Sequence, residues 1–189
     1  MDHRRATAER NGAAILDATE RLLEQHTPLS MVAIAGEAGV SRPTLYAHYK
    51  TIGDIVEAAV ERSVVLSLEA FAAAQPESGP PMEALCRMLD ASWRQLVVFE
   101  VIARGAADHL TPGALHRTHH AMLQPLHALI ERGQADGCFR TDLPVDWLIT
   151  AYFSLVHGAD EHARTHALAR EEALELLTRS VGELFAGRR

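Results

Sequence analysis

The sequence predicts an all-α protein, with a small three-helix module at the N-terminus and a larger helical body behind it. Three observations predict it. Ala, Leu, Glu and Arg abound while aromatic residues make up only 5% of the chain, a mixture that favours helix. Apolar residues recur at helical spacing, and few stretches alternate with the period of two that strands need. Hydrophobic residues reach 48%, enough to bury a core and to exclude a disordered chain.

Residues 6–25 read as the first helix, because Ile15, Leu16, Thr19, Leu22 and Leu23 keep the spacing of one buried face. His26-Thr27-Pro28 stops it. Ser30 is an N-cap for a short second helix whose buried positions are Met31, Ile34, Ala35 and Ala38. Gly39 suits the left-handed position just past a helix end. Ser41 caps a third helix, with Pro43 in its first turn, where a missing N–H costs little. Thr51 and Asp54 resemble a capping box that opens a fourth helix running to about Ala74.

Gln75 to Pro81 is the clearest linker. A fifth helix is expected over Met82 to Val98, and a separate short one over Glu100 to Ala107. Thr111-Pro112 opens a long helix to Ala135, with Pro125 inside it as an expected kink or local break. Asp136-Gly137 ends it, and residues 139–144 form a loop. Two last helices follow, Val145 to about Thr165 and Arg170 to Ala186. The expected domains are a three-helix module over 1–52 and a larger helical body over 53–189.

Charge does not contradict a nucleic-acid partner. The chain carries a net charge of −7, yet residues 1–50 hold six basic and six acidic side chains, so the acidity lies beyond residue 50. A neutral module can still present a basic edge to phosphates. Cys86 and Cys138 fit no zinc spacing and are too few for a disulfide framework, so they read as reduced thiols. Nothing resembles a signal peptide, and no apolar run approaches a membrane span, so the expected location is the cytoplasm.

Two short helices joined by the tight turn Ala38-Gly39-Val40-Ser41 form a helix-turn-helix pattern. In that motif the second helix enters the major groove with its N-terminal residues at base edges. Arg42 can bind guanine through two hydrogen bonds, while Pro43 and Thr44 can meet a thymine methyl or a base. Tyr46 and His48 can reach phosphates or base edges, and Lys50, the only lysine, sits where a phosphate would lie. Ser30 can offer its hydroxyl to a phosphate.

Ser30 to Ile55, SMVAIAGEAGVSRPTLYAHYKTIGDI, resembles the signature of the tetracycline-repressor (TetR) family, and Ala14-Ile15-Leu16-Asp17-Ala18 is similar to that family's first helix. The resemblance covers about the first 60 residues. It implies double-stranded DNA as partner, a homodimer, a ligand-binding helical body and repression relieved by a small molecule. It also implies that Ser30, Arg42, Pro43, Thr44, Tyr46, His48 and Lys50 occupy DNA-contacting places. Where the family usually carries a Lys and then an acidic residue at the start of the fourth helix, this chain has Ile52 and Gly53. That departure predicts weaker and less salt-dependent binding, with Lys50 open to take over the contact.

In the body, candidate pocket residues are Trp93, Phe99, His119, Met122, Leu126, Trp147, Tyr152, Phe153 and His157. Each also fits an ordinary core position, and His119 on its apolar stripe fits either a hydrogen-bonded core group or a pocket wall. Eight histidines lie between His109 and His166, with His116 and His120 at i, i+4, but no further ligand is positioned by spacing, so no metal and no cofactor are expected. The last two helices carry apolar stripes that either pack within the chain or pair with a second copy; the resemblance favours a homodimer on a palindromic operator. Two other readings stay open. One is a regulator-like interaction module that has lost operator binding. The other is a metal-dependent helical enzyme, for which no nucleophile, base and oxyanion set is discernible.

Overall fold

A computed structural model describes residues 2–25, 27–106 and 112–187, and the side chains of residues 5–25, 27–99, 101–102, 123–169 and 171–187. Eight helices occur among them: α1 (Asp2–Glu24), α2 (Met31–Glu37), α3 (Arg42–His48), α4 (Ile52–Ala73), α5 (Pro81–Ala106), α6 (Pro112–Ala135), α7 (Val145–His166) and α8 (Arg170–Phe185). The all-α expectation holds.

The helix ends follow the short-range chemistry of the sequence. Ser30 accepts a hydrogen bond from the Ala33 N–H at 3.1 Å, and Ser41 accepts one from Thr44 at 3.2 Å. Gly39 adopts φ +66°, the left-handed conformation that its missing Cβ permits. At the start of α4 the Asp54 carboxylate accepts from the N–H groups of Lys50 and Thr51 at 3.0 and 2.9 Å, while Thr51 Oγ1 accepts from the Asp54 N–H at 3.1 Å. The capping box closes with the shorter acid.

Two expectations are corrected. Helix α5 is continuous from Pro81 to Ala106, where two helices with a break near Phe99 were expected. No Gly or Pro lies near residue 99 to interrupt the ladder, and burial of Leu96, Phe99 and Ile102 carries the helix through. Helix α6 runs through Pro125 without the local break that was one of the two outcomes expected there. Proline there forfeits one backbone hydrogen bond. The burial of Leu126, Leu129 and Ile130 on the same helix outweighs that loss.

The chain forms two compact units. The first comprises Met1–Val64 and Val98–Thr118, the second Val65–Val97 and His119–Arg189. In the first unit α1, α2 and α3 pack together around Ile15, Ala18, Leu22, Ile34, Ala35 and Leu45, all buried. The first half of α4 adds Ile55, Val56 and Ala59. Buried Thr19 satisfies its hydroxyl on the Ile15 carbonyl one turn back, at 2.9 Å.

In the second unit α7 packs along α8. Phe139 folds back after α6, bridges to Ala186 and stacks edge-on against Phe185 with ring centroids 5.5 Å apart. Two arginines hold the linker after α4. Arg87 donates to the carbonyls of Ala74, Gln75 and Ser78, and Arg132 donates to those of Pro76 and Gly79. A segment that composition marks as a loose linker is thus ordered by five carbonyl contacts, which supply partners that neither a helix nor a sheet provides.

Candidate nucleic-acid interface

Helix α3 is built to present its N-terminal turn. Its single fully buried residue is Leu45, which anchors the helix on the core of the first unit. Everything at the opposite face is therefore free to be polar. Arg42 and Pro43 are exposed, and Arg42 makes no hydrogen bond or ion pair with another described residue. An arginine left without an acid on its own surface keeps all five donors for an outside acceptor. Pro43, in the first turn, has no N–H to satisfy and offers only its ring.

The structure divides the other predicted contacts. Thr44 is half-buried, and its hydroxyl lies 2.7 Å from that of Ser41, so its hydroxyl takes part in the cap and its methyl is the group left for a base. Tyr46 is 43% exposed. Lys50 is exposed, and its ammonium donates to the Tyr46 carbonyl at 2.8 Å, closing the C-terminal end of α3. His48 is half-buried and packs near α1: a Cβ added to Gly12 would lie 3.7 Å from its Nδ1. His48 therefore supports the angle between α1 and α3 as well as facing outward. Ser30 spends its acceptor on the α2 cap and retains its O–H as a donor.

Neighbouring contacts hold this surface rigid. Arg21 of α1 pairs with Glu37 of α2 at 2.7 Å. Tyr49, the residue that ends α3, is half-buried; burial pushes its phenol up and the charge of Arg62 pulls it back. Val32 was missed by sequence reasoning. It is 56% exposed on α2, and the available signal was an apolar residue lying off the Ile34–Ala35–Ala38 face. Arg62 was also missed, although an arginine amid the apolar positions of α4 was a visible irregularity.

The candidate pocket residues of the body are only partly brought together. Trp93, Leu126 and Tyr152 are buried in the second unit. Phe153 and His157 are half-buried on α7, where Phe153 meets Tyr152 edge-on at 5.4 Å and His157 at 6.3 Å. Phe99 is buried but belongs to the first unit. Trp147 is 59% exposed and lines no interior. The side chains of His119 and Met122 lie outside the described residues, as do those of His116 and His120. Among the described residues no group of three His, Cys, Asp or Glu side chains could hold a metal ion. No helix among them is long and apolar enough to cross a membrane.

Known proteins agree with the geometry. Residues 15–59 match the sequence family described as bacterial regulatory proteins, tetR family. The HTH-type transcriptional regulator NfxB of Pseudomonas aeruginosa is 28% identical over 143 residues, covering 74% of this chain and 76% of that protein. The HTH-type transcriptional repressor LfrR of Mycolicibacterium smegmatis is 36% identical over 83 residues, 44% of each chain. The crystal structure of LfrR in complex with proflavine matches this fold with a TM-score of 0.74 at 23% identity, over 93% of this chain and 96% of that one. A capped helix-turn-helix, with Arg42 exposed at its tip and without an acidic partner among the described residues, lies inside the segment that carries the tetR family's sequence, and the chain is similar in sequence to DNA-binding transcriptional regulators and in fold to a TetR-like one.

Proposed function

We propose that the protein is a ligand-responsive repressor that binds a palindromic operator as a homodimer and is released by a small molecule. The observation that carries the DNA-reading part is the N-terminal turn of α3, where Arg42 and Pro43 stand exposed and Arg42 has no acidic partner among the described residues. Arg42 reads guanine, Pro43 and the Thr44 methyl meet thymine, and Ser30, Tyr46, His48 and Lys50 place the head on the backbone. The module that does this spans residues 1–52, and residues 53–189 form the ligand-binding and dimerising body. Such a regulator works in the cytoplasm, and no catalytic step is assigned to it.

Dimerisation through α7 and α8 is supported by Trp147 at 59% exposure and Leu176 at 43% exposure, one large apolar side chain left outward on each helix. Two-fold symmetry then requires a palindromic site. The effector is supported by the proflavine held by LfrR. A ligand that favours a different head spacing shifts the dimer away from its DNA-bound state, and α4, whose residues are shared between the two units, is the element through which it acts.

The test is selection of bound genomic fragments followed by sequencing, then affinity measurement on the recovered site. The expected result is a two-fold symmetric sequence and a loss of about tenfold to a hundredfold for Arg42→Ala. Unchanged affinity for Arg42→Ala would instead favour an interaction module that no longer reads DNA.

A further inference from the structure

Eight histidines lie in the second half of the chain, and DNA reading by α3 uses none of them. The i, i+4 pair that spacing singled out, His116 and His120, lies outside the described side chains. A second such pair, His162 and His166, lies in the last turns of α7, and both side chains are exposed. Residues four apart on a helix stand one above the other. Here the two rings are stacked, with centroids 4.0 Å apart and planes inclined by 29°. An ion bound to two imidazole nitrogens at about 2.0–2.1 Å keeps those nitrogens no more than about 4.2 Å apart. The two rings already lie within that reach.

Hydrogen bonding leaves suitable atoms free. Nδ1 of His166 lies 3.0 Å from the His162 carbonyl oxygen, which can only accept, so Nδ1 carries the proton and donates. In a neutral imidazole the Nε2 lone pair is then open to an ion. A backbone carbonyl behind the ring is the usual support of a metal-binding histidine, because it fixes both tautomer and orientation. The His162 ring makes no hydrogen bond with another described residue. The neighbouring charges pair with one another. Arg164 donates to Asp160 at 3.3 Å and to Glu161, and Glu161 also accepts from the Thr165 hydroxyl at 3.3 Å. Arg164 is two residues from each histidine, so it projects from a different side of the helix.

We propose that His162 and His166 form a two-point site for a divalent cation of the zinc type, one ion per chain, that clips the last turn of α7. Imidazole suits zinc and its transition-metal neighbours, whereas magnesium and calcium demand oxygen ligands. Two protein ligands fall short of the closed set of a structural zinc, so water completes the coordination and the ion exchanges. A cation there also meets the negative end of the helix macrodipole. Helix α7 closes on Ala167 with φ 52°, a left-handed place that glycine fills at lower cost. A bridge across that turn offsets the cost and steadies the end of α7 that leads into α8. The site is independent of the repressor reading above.

Zinc chloride titrated into the untagged full chain tests it, with binding read by calorimetry and by melting temperature. The expected result is one equivalent of zinc per chain that binds at least about tenfold more weakly in His162→Ala and in His166→Ala, since each removes one arm of the chelate. His116→Ala leaves that equivalent in place. Zinc raises the melting temperature of wild type by linkage, and raises it less in either of the two α7 variants. Both side chains are exposed and alanine favours helix, so the metal-free variants fold as wild type does and the comparison stays readable. Magnesium chloride produces neither the heat nor the shift. No zinc binding by wild type, an equal response to magnesium, a loss confined to one of the two α7 variants, or loss of the same equivalent in His116→Ala would overturn the assignment.

Discussion

Arg62 on α4 holds Glu20 on α1 at 2.6 Å through one terminal nitrogen, and its other terminal nitrogen holds Asp17, one turn earlier, at 2.8 Å. The same guanidinium reaches the Ala13 carbonyl at 3.4 Å. Burial opposes the charge on Arg62, but hydrogen bonds and charge from Glu20 and Asp17 outweigh it and raise the guanidinium's pKa. One side chain thus ties α1, on which the helix-turn-helix packs, to the first half of α4.

The two arms of this tie are unequal. The Glu20 side chain is 18% exposed and the Asp17 side chain 54%. Arg62→Met leaves Glu20 part-buried without its cation and is expected to cost about 1–3 kcal/mol. Asp17→Asn removes a solvent-screened partner and is expected to cost less than about 1 kcal/mol. Urea unfolding of the full chain compares them. Equal losses would mean that burial does not set the strength of the tie.

Acid should loosen the start of α4. Hydrogen bonds from the backbone N–H and hydroxyl of Thr51 lead in holding the Asp54 carboxyl below its usual range, with the Lys50 N–H and charge in support. Its folded pKa is depressed, so its contribution is complete above the ordinary carboxylate pKa and is lost as pH falls through the lower folded value. Asp54→Ala is expected to lower the melting temperature at pH 7, and the gap from wild type should shrink on acidification below about pH 4. A gap independent of pH would show that the carboxylate's charge is irrelevant to the cap.

Gly133 has no room for a side chain. A Cβ there would lie 2.1 Å from the Phe139 ring, whose backbone N–H donates to the Gly133 carbonyl at 2.9 Å. Gly133→Ala must push the ring off its place against Phe185 and is expected to destabilise by about 1–3 kcal/mol despite alanine's better helix propensity. Denaturant midpoints decide the sign, and a stabilised variant would mean the ring moves freely.

Lys50 has two tasks in competition. In the free protein its ammonium caps the Tyr46 carbonyl. On DNA the same group is expected to move to a phosphate and release a counterion. Lys50→Met should then lower the magnitude of the slope of log affinity against log salt by about one unit per head. Affinity measured at several salt concentrations reads this directly. An unchanged slope would confine Lys50 to capping and leave the α4 start, with Ile52 and Gly53, without a phosphate contact.

Legibility in the sequence tracked the range of the interaction. The caps at Ser30, Ser41 and Thr51–Asp54 and the left-handed Gly39 involve groups within four residues of each other, so spacing alone reveals them. The same is true of Arg42 and Pro43, whose exposure follows from Leu45 being the buried residue of a short helix. Trp147 was misplaced because an aromatic residue carries no label for inside or outside. The break expected near Phe99 failed because no Gly or Pro was present to enforce it. Arg62 was passed over because its partners, Asp17 and Glu20, lie more than forty residues away in the chain.

By itself the sequence determined the all-helical class, the helix-turn-helix and the residues at its tip, because helix periodicity, capping and turn chemistry are local and each is written in consecutive positions. Only the tertiary structure decided that Arg62 ties α4 to α1, that Phe139 fills the space beside Gly133, and that Trp93 is buried without an acceptor. Those outcomes depend on which distant side chains meet and on how much water is left between them. Packing settles both, and no spacing along the chain encodes either.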